Sequence, residues 1–322
     1  MRPIPSTPAG RLGLFTYAQA ISDGWTDKAL RCAVNRGSLI RHRPGIFGPP
    51  FVQPDDNYVA ARRAVATAAI AAVLANPSAA ASHTSAAVMH GLPVWYLSAL
   101  PCITVPPSFV GDVEAAHLHR AQLPPGHLVA GAVRTTDVAR TVIDIGREHG
   151  VLSAVVAADA ALHTGRLGVD TLRAQLLDCR GWPGVRAARR ASDFADERSE
   201  SPLESASRFK LDGLVPAPDL QASIFDEYGH FLGRTDFLWD EPGVVGEADG
   251  MEKYDDAERT SLREEKLRQE RFEQAGLVVV RWGSDDLSRI EALVHRIRGA
   301  FARAARRTEP RRWRALHRPK AA

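Results

Sequence analysis

The sequence predicts an α+β chain of several domains. Its 322 residues exceed what one hydrophobic core usually organises, so two or three domains are expected. Segments with helical periodicity are mixed with short runs of alternating apolar residues, which indicates that helices and strands occur together. The composition, 45% hydrophobic and 25% charged, is that of a folded globular protein rather than a disordered chain.

Cysteine usage and hydropathy exclude several classes of protein. The cysteines Cys32, Cys102 and Cys179 are odd in number, far apart and in no CxxC pair, which argues against a disulfide framework or a zinc ribbon. The longest apolar run, residues 64–75, is shorter than the roughly 20 residues that a membrane span needs, and the first residues lack the apolar core of a signal peptide. We therefore expect a cytoplasmic protein with no membrane partner.

Charge is distributed unevenly along the chain. Residues 1–50 carry seven basic and two acidic side chains, residues 51–295 carry 24 and 35, and residues 296–322 carry ten and one. Two basic ends suit a polyanion, because backbone phosphates attract Lys and Arg without any demand on sequence. Taken alone, the charges fit equally well a soluble protein with an Arg-rich tail.

Residues 1–50 predict a winged helix-turn-helix module. A capping-box pattern over Thr16–Gln19 begins a short helix, and Thr26 can cap a second helix that ends near Gly37. Residues 39–48 then predict a hairpin whose first strand is basic. Because the second helix and the hairpin would face DNA, we expect DNA contacts from Lys28, Arg31, Asn35, Arg36, Arg41 and Arg43.

The next segments predict a mixed α/β middle region over residues 51–180 and a linker over residues 181–200. Strands are predicted at Cys102–Val105 and His117–Arg120, between helical segments on either side. The linker is inferred from its richness in Arg and Asp, and it is expected to be partly helical. This part of the sequence does not itself indicate a chemistry.

Two histidines of the middle region, His83 and His90, lie seven residues apart. On one helix they would share a face. No acidic residue is near them in the sequence, so we interpret both as structural.

The last region predicts an α/β core over residues 201–307, built around a short mixed sheet, followed by a basic tail over residues 308–322. The tail has little apolar periodicity after residue 305 and is expected to stay mobile until it binds a polyanion. The expected elements of the core are a helix at 202–211, strands at 219–225, 231–239 and 244–249, a long helix at about 258–275, a strand at 277–282 and a helix at 287–307.

The turn at residues 240–243 closes a predicted hairpin in this core. With residues 241 and 242 at its tip, Asp236 stands opposite Glu247, and Arg234 stands opposite Asp249. Opposed side chains have Cβ atoms roughly 4.5–5.5 Å apart, and like charges there destabilise the pair. A divalent cation such as magnesium or manganese would compensate them. The alternative is a solvated acidic strand face balanced by Arg234.

Several stretches of this region resemble, in order, the very-short-patch-repair-type branch of the PD-(D/E)XK nuclease superfamily. The resemblance covers about residues 200–290 and is carried by residues 201–205, 218–221, 233–239, 246–254, 265–268 and 278–282. It implies a restriction-endonuclease-like α/β core that uses Mg²⁺ or Mn²⁺, with Asp236 and Glu247 as metal-binding acids and Glu204 as a third acid on the preceding helix. Asp249 stands where the superfamily most often has lysine and belongs to the expected catalytic set. Lys253 is expected as the substitute amine in that set, and the alternative is a surface lysine that follows a strand.

Residues 13–48 resemble the winged-helix domain of AbiEi-type antitoxins, which regulate their own promoters and oppose a nucleotidyltransferase toxin. Residues 82–92 and 134–141 are similar to further pieces of such proteins. The first function hypothesis is therefore a metal-dependent DNA endonuclease. The alternative is a non-catalytic AbiEi-type regulator whose partners are DNA and a cognate nucleotidyltransferase-type toxin, and a structural adaptor without DNA is a third hypothesis.

Overall fold

The computed structural model of the protein describes residues 12–50, 54–131, 133–249 and 266–320. The chain divides into two compact units. Unit 1 comprises Met1–Ala157 and Arg166–Asp193, and unit 2 comprises Ala158–Gly165 and Phe194–Ala322. Each unit combines helices with β-sheet, so the chain is an α+β protein with more than one domain, as the sequence predicts.

Unit 1 contains two sheets and the helices around them. A 3₁₀ turn lies at Pro125–His127, and helix α5 continues into unit 2. The elements are β1 (Phe15–Thr16), α1 (Tyr17–Ser22), α2 (Asp27–Asn35), β2 (Ile40–Arg43), β3 (Ile46–Gly48), α3 (Asn57–Ala75), β4 (Ala80–Ala81), α4 (His83–Met89), β5 (Cys102–Val105), β6 (His117–Arg120), β7 (Leu128–Val129), β8 (Thr135–Thr136), α5 (Val138–His163), α6 (Val169–Asp178) and α7 (Val185–Phe194).

The first elements of unit 1 form as their local sequence predicts. Thr16 and Gln19 exchange hydrogen bonds in a capping box at the start of α1, and the Thr26 side chain accepts from the backbone of α2. Gly37 follows α2 with φ of 70°, a conformation that glycine adopts without a Cβ penalty. Strands β2 and β3 form the predicted hairpin, and β1 joins them in a sheet of order β1-β3-β2.

A mixed five-stranded sheet of order β6-β5-β4-β8-β7 follows, with β5 and β6 at the bounds predicted from the sequence. Helix α3 is long and apolar enough to cross a membrane by length and composition. Residues from its middle are nevertheless buried in one core with Ile103 and Val105 of the sheet. Leu14 and Ile46 join that core. The described residues of 1–50 and most of those of 51–180, expected as separate domains, fall in unit 1, while residues 158–165 fall in unit 2.

The expected linker over residues 181–200 is partly helical, as predicted, because α7 (Val185–Phe194) occupies half of it. Val185, Ala188 and Ala191 are buried at a spacing of three residues, so they form one apolar face of a helix. The many Arg and Asp residues of this segment lie mostly on the exposed face of α7. Composition alone therefore gave no sign of its buried face. Before α7, the long helix α5 is interrupted at Gly150, whose φ is 82°.

Unit 2 contains two further sheets, of orders β14-β13-β12-β9 and β11-β10-β15. Strands β13 and β14 pair in parallel, and the other pairs are antiparallel. The elements are α8 (Pro202–Leu211), β9 (Asp219–Leu220), β10 (Ser223–Asp226), β11 (Phe231–Arg234), β12 (Phe237–Trp239), β13 (Val244–Ala248), α9 (described residues 266–274), β14 (Val278–Trp282), α10 (Ser284–Ser288), α11 (Ile290–Ala305) and β15 (Trp313–Leu316).

The hairpin of β12 and β13 has the register that the turn predicts, with Phe237 opposite Gly246 and Trp239 opposite Val244. The same register, extended by one residue, puts Asp236 opposite Glu247. The expected single strand over 231–239 is nevertheless two strands in different sheets. The chain changes sheet at Thr235, whose backbone N–H donates to the Ala222 carbonyl at 3.0 Å.

The expected pairing of Arg234 with Asp249 is therefore wrong. Arg234 ends β11 and lies opposite Ser223, and its guanidinium binds Glu200 at 2.7 Å. Because β11 and β13 belong to different sheets, no common register joins Arg234 to Asp249. Arg234 consequently does not supply the balancing charge for that acid.

Aromatic packing around Gly246 fixes the strand that carries Glu247. A Cβ added to Gly246 would lie 2.5 Å from the Trp282 ring and 3.0 Å from the Trp239 ring, so only glycine fits between the two indoles. The Trp282 Nε1–H donates to the Ser207 hydroxyl at 2.7 Å. This bond ties β14 to α8, the helix that carries Glu204.

The expected mobile tail is wrong for the described residues 308–320, because β15 is an integral strand of unit 2. Four residues of β15 pair with β10, and Trp313 is buried in the core. The basic side chains of this segment contact acids of the same unit. These contacts join Arg311 to Asp240, His317 to Asp219, Arg318 to Glu200 and Lys320 to Asp196.

Candidate functional site

Glu247 is the most buried acid of the candidate site, with only 2% of its surface exposed. It lies on β13, opposite Arg281 of the parallel edge strand β14. Its Oε2 accepts a hydrogen bond from the Arg268 guanidinium of α9. Its Oε1 is buried and has no hydrogen-bond partner within the part of the chain that the structure describes. Since a buried oxygen without a partner is costly, this atom points to a ligand.

Helix α9 reaches Glu247 because it packs closely on β11. A Cβ at Gly233 would lie 2.8 Å from the Phe272 ring and 2.9 Å from the Arg268 side chain. The missing side chain of Gly233 thus lets α9 approach the sheet. Arg268 lies in one of the stretches that resemble the nuclease superfamily, but the resemblance implies no role for it. In the structure its guanidinium contacts Glu247, the candidate metal-binding acid.

Asp236 is placed beside Glu247 by the change of sheet before β12. Its Oδ2 accepts the backbone N–H of Ala248 at 2.8 Å, and its backbone carbonyl accepts from Gln221 at 3.2 Å. These bonds fix the Asp236 carboxylate at the end of the β12–β13 pair that lies away from the turn. The sequence-predicted pair of Asp236 and Glu247 is therefore brought together.

Glu204 lies in the first turn of α8 and is also buried. Its Oε2 accepts two hydrogen bonds at 2.9 Å, from the backbone of Glu200 and from the side-chain amide of Gln221. The bond to Glu200 is a capping interaction, which gives Glu204 a structural role as well. Gln221 links the acids, since it contacts both Glu204 and Asp236.

Gln221 has a backbone conformation that sequence patterns do not reveal. Its φ is 56°, in the left-handed region that residues with a side chain rarely adopt. Such strain concentrates at functional sites. Gln221 lies in one of the stretches that resemble the nuclease superfamily, but the resemblance implies no role for it. Its position between two short strands is the only signal that the sequence gives.

The electrostatics of the site oppose full ionisation of its acids. Burial, with a further contribution from Glu204, raises the pKa of Asp236 to about 7. Burial together with repulsion by Asp236 raises the pKa of Glu247 to about 8, although Arg268 and Arg281 act in the opposite direction. Burial also raises the pKa of Glu204. Strongly raised pKa values in a cluster of acids are typical of functional sites.

The remaining members of the expected catalytic set are Asp249 and Lys253. Asp249 follows β13, is half-buried, and lies 3.3 Å from Arg281 Nε. The position that resembles the superfamily's lysine therefore carries an acid paired with an arginine. Lys253 lies outside the described residues.

The donor set of unit 2 fits a hard divalent cation. Its ligands would be carboxylate oxygens, which Mg²⁺ and Mn²⁺ prefer, and Glu247 Oε1 is available. Asp236 and Glu247 are not in either of the clusters of three ligand atoms within 4.8 Å that occur among the described residues. A site with two carboxylates suits Mg²⁺, which commonly keeps several waters and takes one or two protein carboxylates.

The expected DNA-contacting residues of unit 1 are mostly exposed to solvent. Leu30 and Ala33 of α2 face the core, while the opposite face is exposed to solvent. Arg43 is different: it is half-buried and donates to the backbone carbonyls of Glu114 and Ala115 at 2.7 and 3.1 Å. The exposed members of the set are Lys28, Arg31, Asn35, Arg36 and Arg41.

Comparison with known proteins gives similarity without an assigned activity. No family model matches the chain. Two uncharacterized proteins of Mycobacterium tuberculosis, MT2308 of strain CDC 1551 / Oshkosh and Rv2248 of strain ATCC 25618 / H37Rv, are each 30% identical to it over 162 residues. The match covers 50% of this chain and 58% of each relative.

One solved structure is also similar in part. The crystal structure of the RV2827C protein from Mycobacterium tuberculosis covers 60% of this chain and 74% of its own, with 14% identity and a TM-score of 0.36. A likeness at this level carries no argument about function. The functional conclusion therefore depends on the site itself.

Proposed function

We propose that unit 2 is a metal-dependent DNA endonuclease domain with a restriction-endonuclease-like core of the very-short-patch-repair type. The observation that carries the proposal is the buried pair of Asp236 and Glu247, in which Glu247 Oε1 lacks a partner among the described residues. We also propose that the first part of unit 1 is a winged helix-turn-helix that binds DNA in the cytoplasm. The sequence resemblance and the order of β1, β2, β3, α1 and α2 support this assignment.

A bound Mg²⁺ or Mn²⁺ would supply an acidified water as nucleophile and would neutralise charge on the attacked phosphate. Asp236 and Glu247 would hold it, and Glu204 would orient Asp236 through Gln221. Because the pKa of each of the two metal-binding acids is raised, cation binding would displace a proton that burial otherwise retains.

Arg268 would provide positive charge in place of the superfamily's lysine, with Lys253 as a further amine. The Arg268 guanidinium contacts Glu247. It can bind a phosphate oxygen instead when a cation binds the Glu247 carboxylate. The planar guanidinium suits bidentate contact with phosphate, which lysine cannot make. The ion pair between Asp249 and Arg281 would keep Arg281, the second arginine, at the rim of the site.

The test is cleavage of plasmid and single-stranded DNA by the full chain with Mg²⁺ or Mn²⁺. We expect metal-dependent cleavage that Asp236→Asn and Glu247→Gln each reduce by about 100-fold or more, as for loss of a group acting in the transition state. Glu241→Gln is the matched control, because Glu241 is exposed in the turn of the same hairpin. It should retain wild-type cleavage.

A non-catalytic regulator of the AbiEi type is the second candidate, and the contact of Arg268 with Glu247 favours it. An arginine on the central acid can replace a metal as the compensating charge. In that case calorimetry detects no Mg²⁺ or Mn²⁺ binding and no form of DNA is cut, while DNA binding persists. Binding of a cognate nucleotidyltransferase-type toxin by the full chain would then be the expected partner interaction.

A further inference from the structure

A second cluster of potential metal ligands lies in unit 1, far in sequence from the acids of unit 2. His83 begins α4, His119 lies in β6, and Glu148 lies in α5 shortly before the interruption at Gly150. One ligand atom from each of the three lies within 4.8 Å of the others. The expectation that His83 has no acidic partner is therefore wrong, because Glu148 approaches it in the fold.

The distances in this cluster match those of a four-coordinate metal site. Glu148 Oε2 lies 3.4 Å from His83 Nε2 and 3.4 Å from His119 Nε2. A zinc ion with bonds of about 2.0–2.1 Å to tetrahedral ligands places neighbouring ligand atoms about 3.3 Å apart. The two imidazole rings are stacked with centroids 3.8 Å apart, so they direct the same edge toward one carboxylate.

The hydrogen bonding around the two rings leaves nitrogen atoms available. The buried Nε2 of His119 has no hydrogen-bond partner within the described parts of the chain, although Glu148 is close. His83 Nδ1 lies 2.9 Å from the Ser82 hydroxyl, which accepts a hydrogen bond from Thr104. A second ring nitrogen held in this way fixes the orientation of a ligating histidine and leaves its Nε2 free to bind.

The backbone at His83 carries an independent sign of constraint. Its φ is 51°, in the left-handed region, and its side chain is only 5% exposed. A buried histidine on strained backbone requires surroundings that hold it in place.

We infer that His83, His119 and Glu148 form a binding site for a borderline divalent transition metal, with zinc as the preferred ion. Two imidazoles and one carboxylate are a donor set that suits zinc and leave a fourth position open. His117 can approach this position, since its Nδ1 lies 3.8 Å from Glu148 Oε1. The site would tie together a helix start, a strand and a helix end that are distant in sequence. It is independent of the proposed nuclease site.

Cys102 belongs to a second cluster, with His117 and His119. We leave it out of the ligand set because, among the described residues, its sulfur is not grouped with the atoms of His83 and Glu148 that lie within 4.8 Å of one another. Its sulfur also contacts the Thr84 hydroxyl at 3.6 Å. A sulfur-free site and a thiolate site can be distinguished by spectroscopy.

The test uses the full chain, freed of metal with a chelator and titrated with Zn²⁺ by calorimetry and with Co²⁺ by visible absorption. We expect one ion per chain and the intense visible bands of four-coordinate Co²⁺, without a sulfur-to-metal charge-transfer band. His119→Gln and Glu148→Gln should each weaken Zn²⁺ binding by about 100-fold or more, since each removes a ligand. Circular dichroism verifies that the variants are folded.

Three control variants separate this site from its neighbours. His149→Gln replaces an adjacent histidine that packs on Tyr96 and should leave Zn²⁺ affinity unchanged. Cys102→Ser should do the same, as should the double variant Asp236→Asn with Glu247→Gln. The inference is overturned if the wild type binds neither ion, if the two ligand variants keep wild-type affinity, or if any of these controls abolishes binding.

Discussion

At the scale of single residues, Asp236 and Glu247 link the stability of unit 2 to pH. Their pKa values of about 7 and about 8 lie above those of the same side chains in an unfolded chain. The folded protein therefore holds protons that the unfolded protein releases. The stabilisation is fully present at low pH, below the unfolded pKa values, and is lost as pH rises through the folded values.

We expect the free energy of unfolding of the metal-free wild type to fall, relative to Asp236→Asn, by on the order of 2 kcal/mol between pH 5 and pH 8.5. Removing one carboxylate abolishes the repulsion in the pair, so the variant should melt at a higher temperature than the wild type at pH 8.5. Thermal unfolding over this pH range measures both effects.

The control for the pH experiment is Glu241→Gln, which changes an exposed carboxylate near the pair. Its unfolding free energy should follow the wild type across the range. Parallel pH curves for the wild type and Asp236→Asn would contradict the raised pKa values. Added Mg²⁺ should stabilise the wild type at pH 8.5 and not Asp236→Asn, by an amount set by its concentration relative to the dissociation constant.

The acids of the site could be predicted from the sequence, whereas their partners could not. Asp236 and Glu247 are related by a tight turn, so local spacing suffices to pair them. Arg268 reaches Glu247 only because α9 packs on Gly233, and Gln221 reaches Glu204 through a left-handed residue between two strands. Neither contact depends on a local pattern, so periodicity carries no signal for them.

At the scale of elements, the register of the β12–β13 hairpin is confirmed, while the change of sheet before it was missed. A turn fixes register because the two strands are joined by only a few residues. Residues 231–239 run from β11 into β12 through Thr235 without a turn-forming pair of residues. The sequence therefore contains no sign that the two strands belong to different sheets.

Helix α2 is the element whose exposed basic face should bind DNA. We expect Arg31→Ala with Arg36→Ala, in the full chain, to weaken DNA binding by about 10-fold and to reduce the slope of log affinity against log salt by about 2, one for each lost phosphate contact. Binding measured at several salt concentrations gives both quantities.

A matched control for α2 is the double variant Arg186→Ala with Arg189→Ala, which removes the same charge from exposed positions of α7. It should leave most of the affinity and the salt slope in place. Equal losses from the two double variants would show that net charge, rather than the α2 surface, governs binding. Arg43→Ala should act through stability, because Arg43 holds backbone carbonyls of its own unit.

At the scale of the whole molecule, the division into two units could not be predicted from composition. One boundary falls within the long helix α5, at residue 157, where no turn or linker marks it. The cluster of His83, His119 and Glu148 illustrates the same difficulty, since its members come from three elements separated by tens of residues. These three residues are close together only in the folded unit 1, so their positions in the sequence do not predict the cluster.

The segment after α11 differs most from its prediction as a mobile tail, because its described basic residues belong to the fold of unit 2. Trp313 and Ala315 alternate inward on β15 and pack in the core, a signal that the sequence contains but that the abundance of arginine concealed. Arg311 also stacks on the Trp313 ring, with its guanidinium carbon 3.5 Å from the ring centroid.

We therefore expect Trp313→Ala to lower the free energy of unfolding of unit 2 by about 3–5 kcal/mol, the usual loss for a buried tryptophan. Leu316→Ala is the control on the same strand: Leu316 is 64% exposed, and its replacement should cost less than about 1 kcal/mol. Urea unfolding measures both, and hydrogen exchange should show faster exchange of the β10 amides in Trp313→Ala, because β10 pairs with β15. A mobile DNA-binding tail would give the opposite result, with unchanged stability and exchange in both variants and a loss confined to DNA affinity.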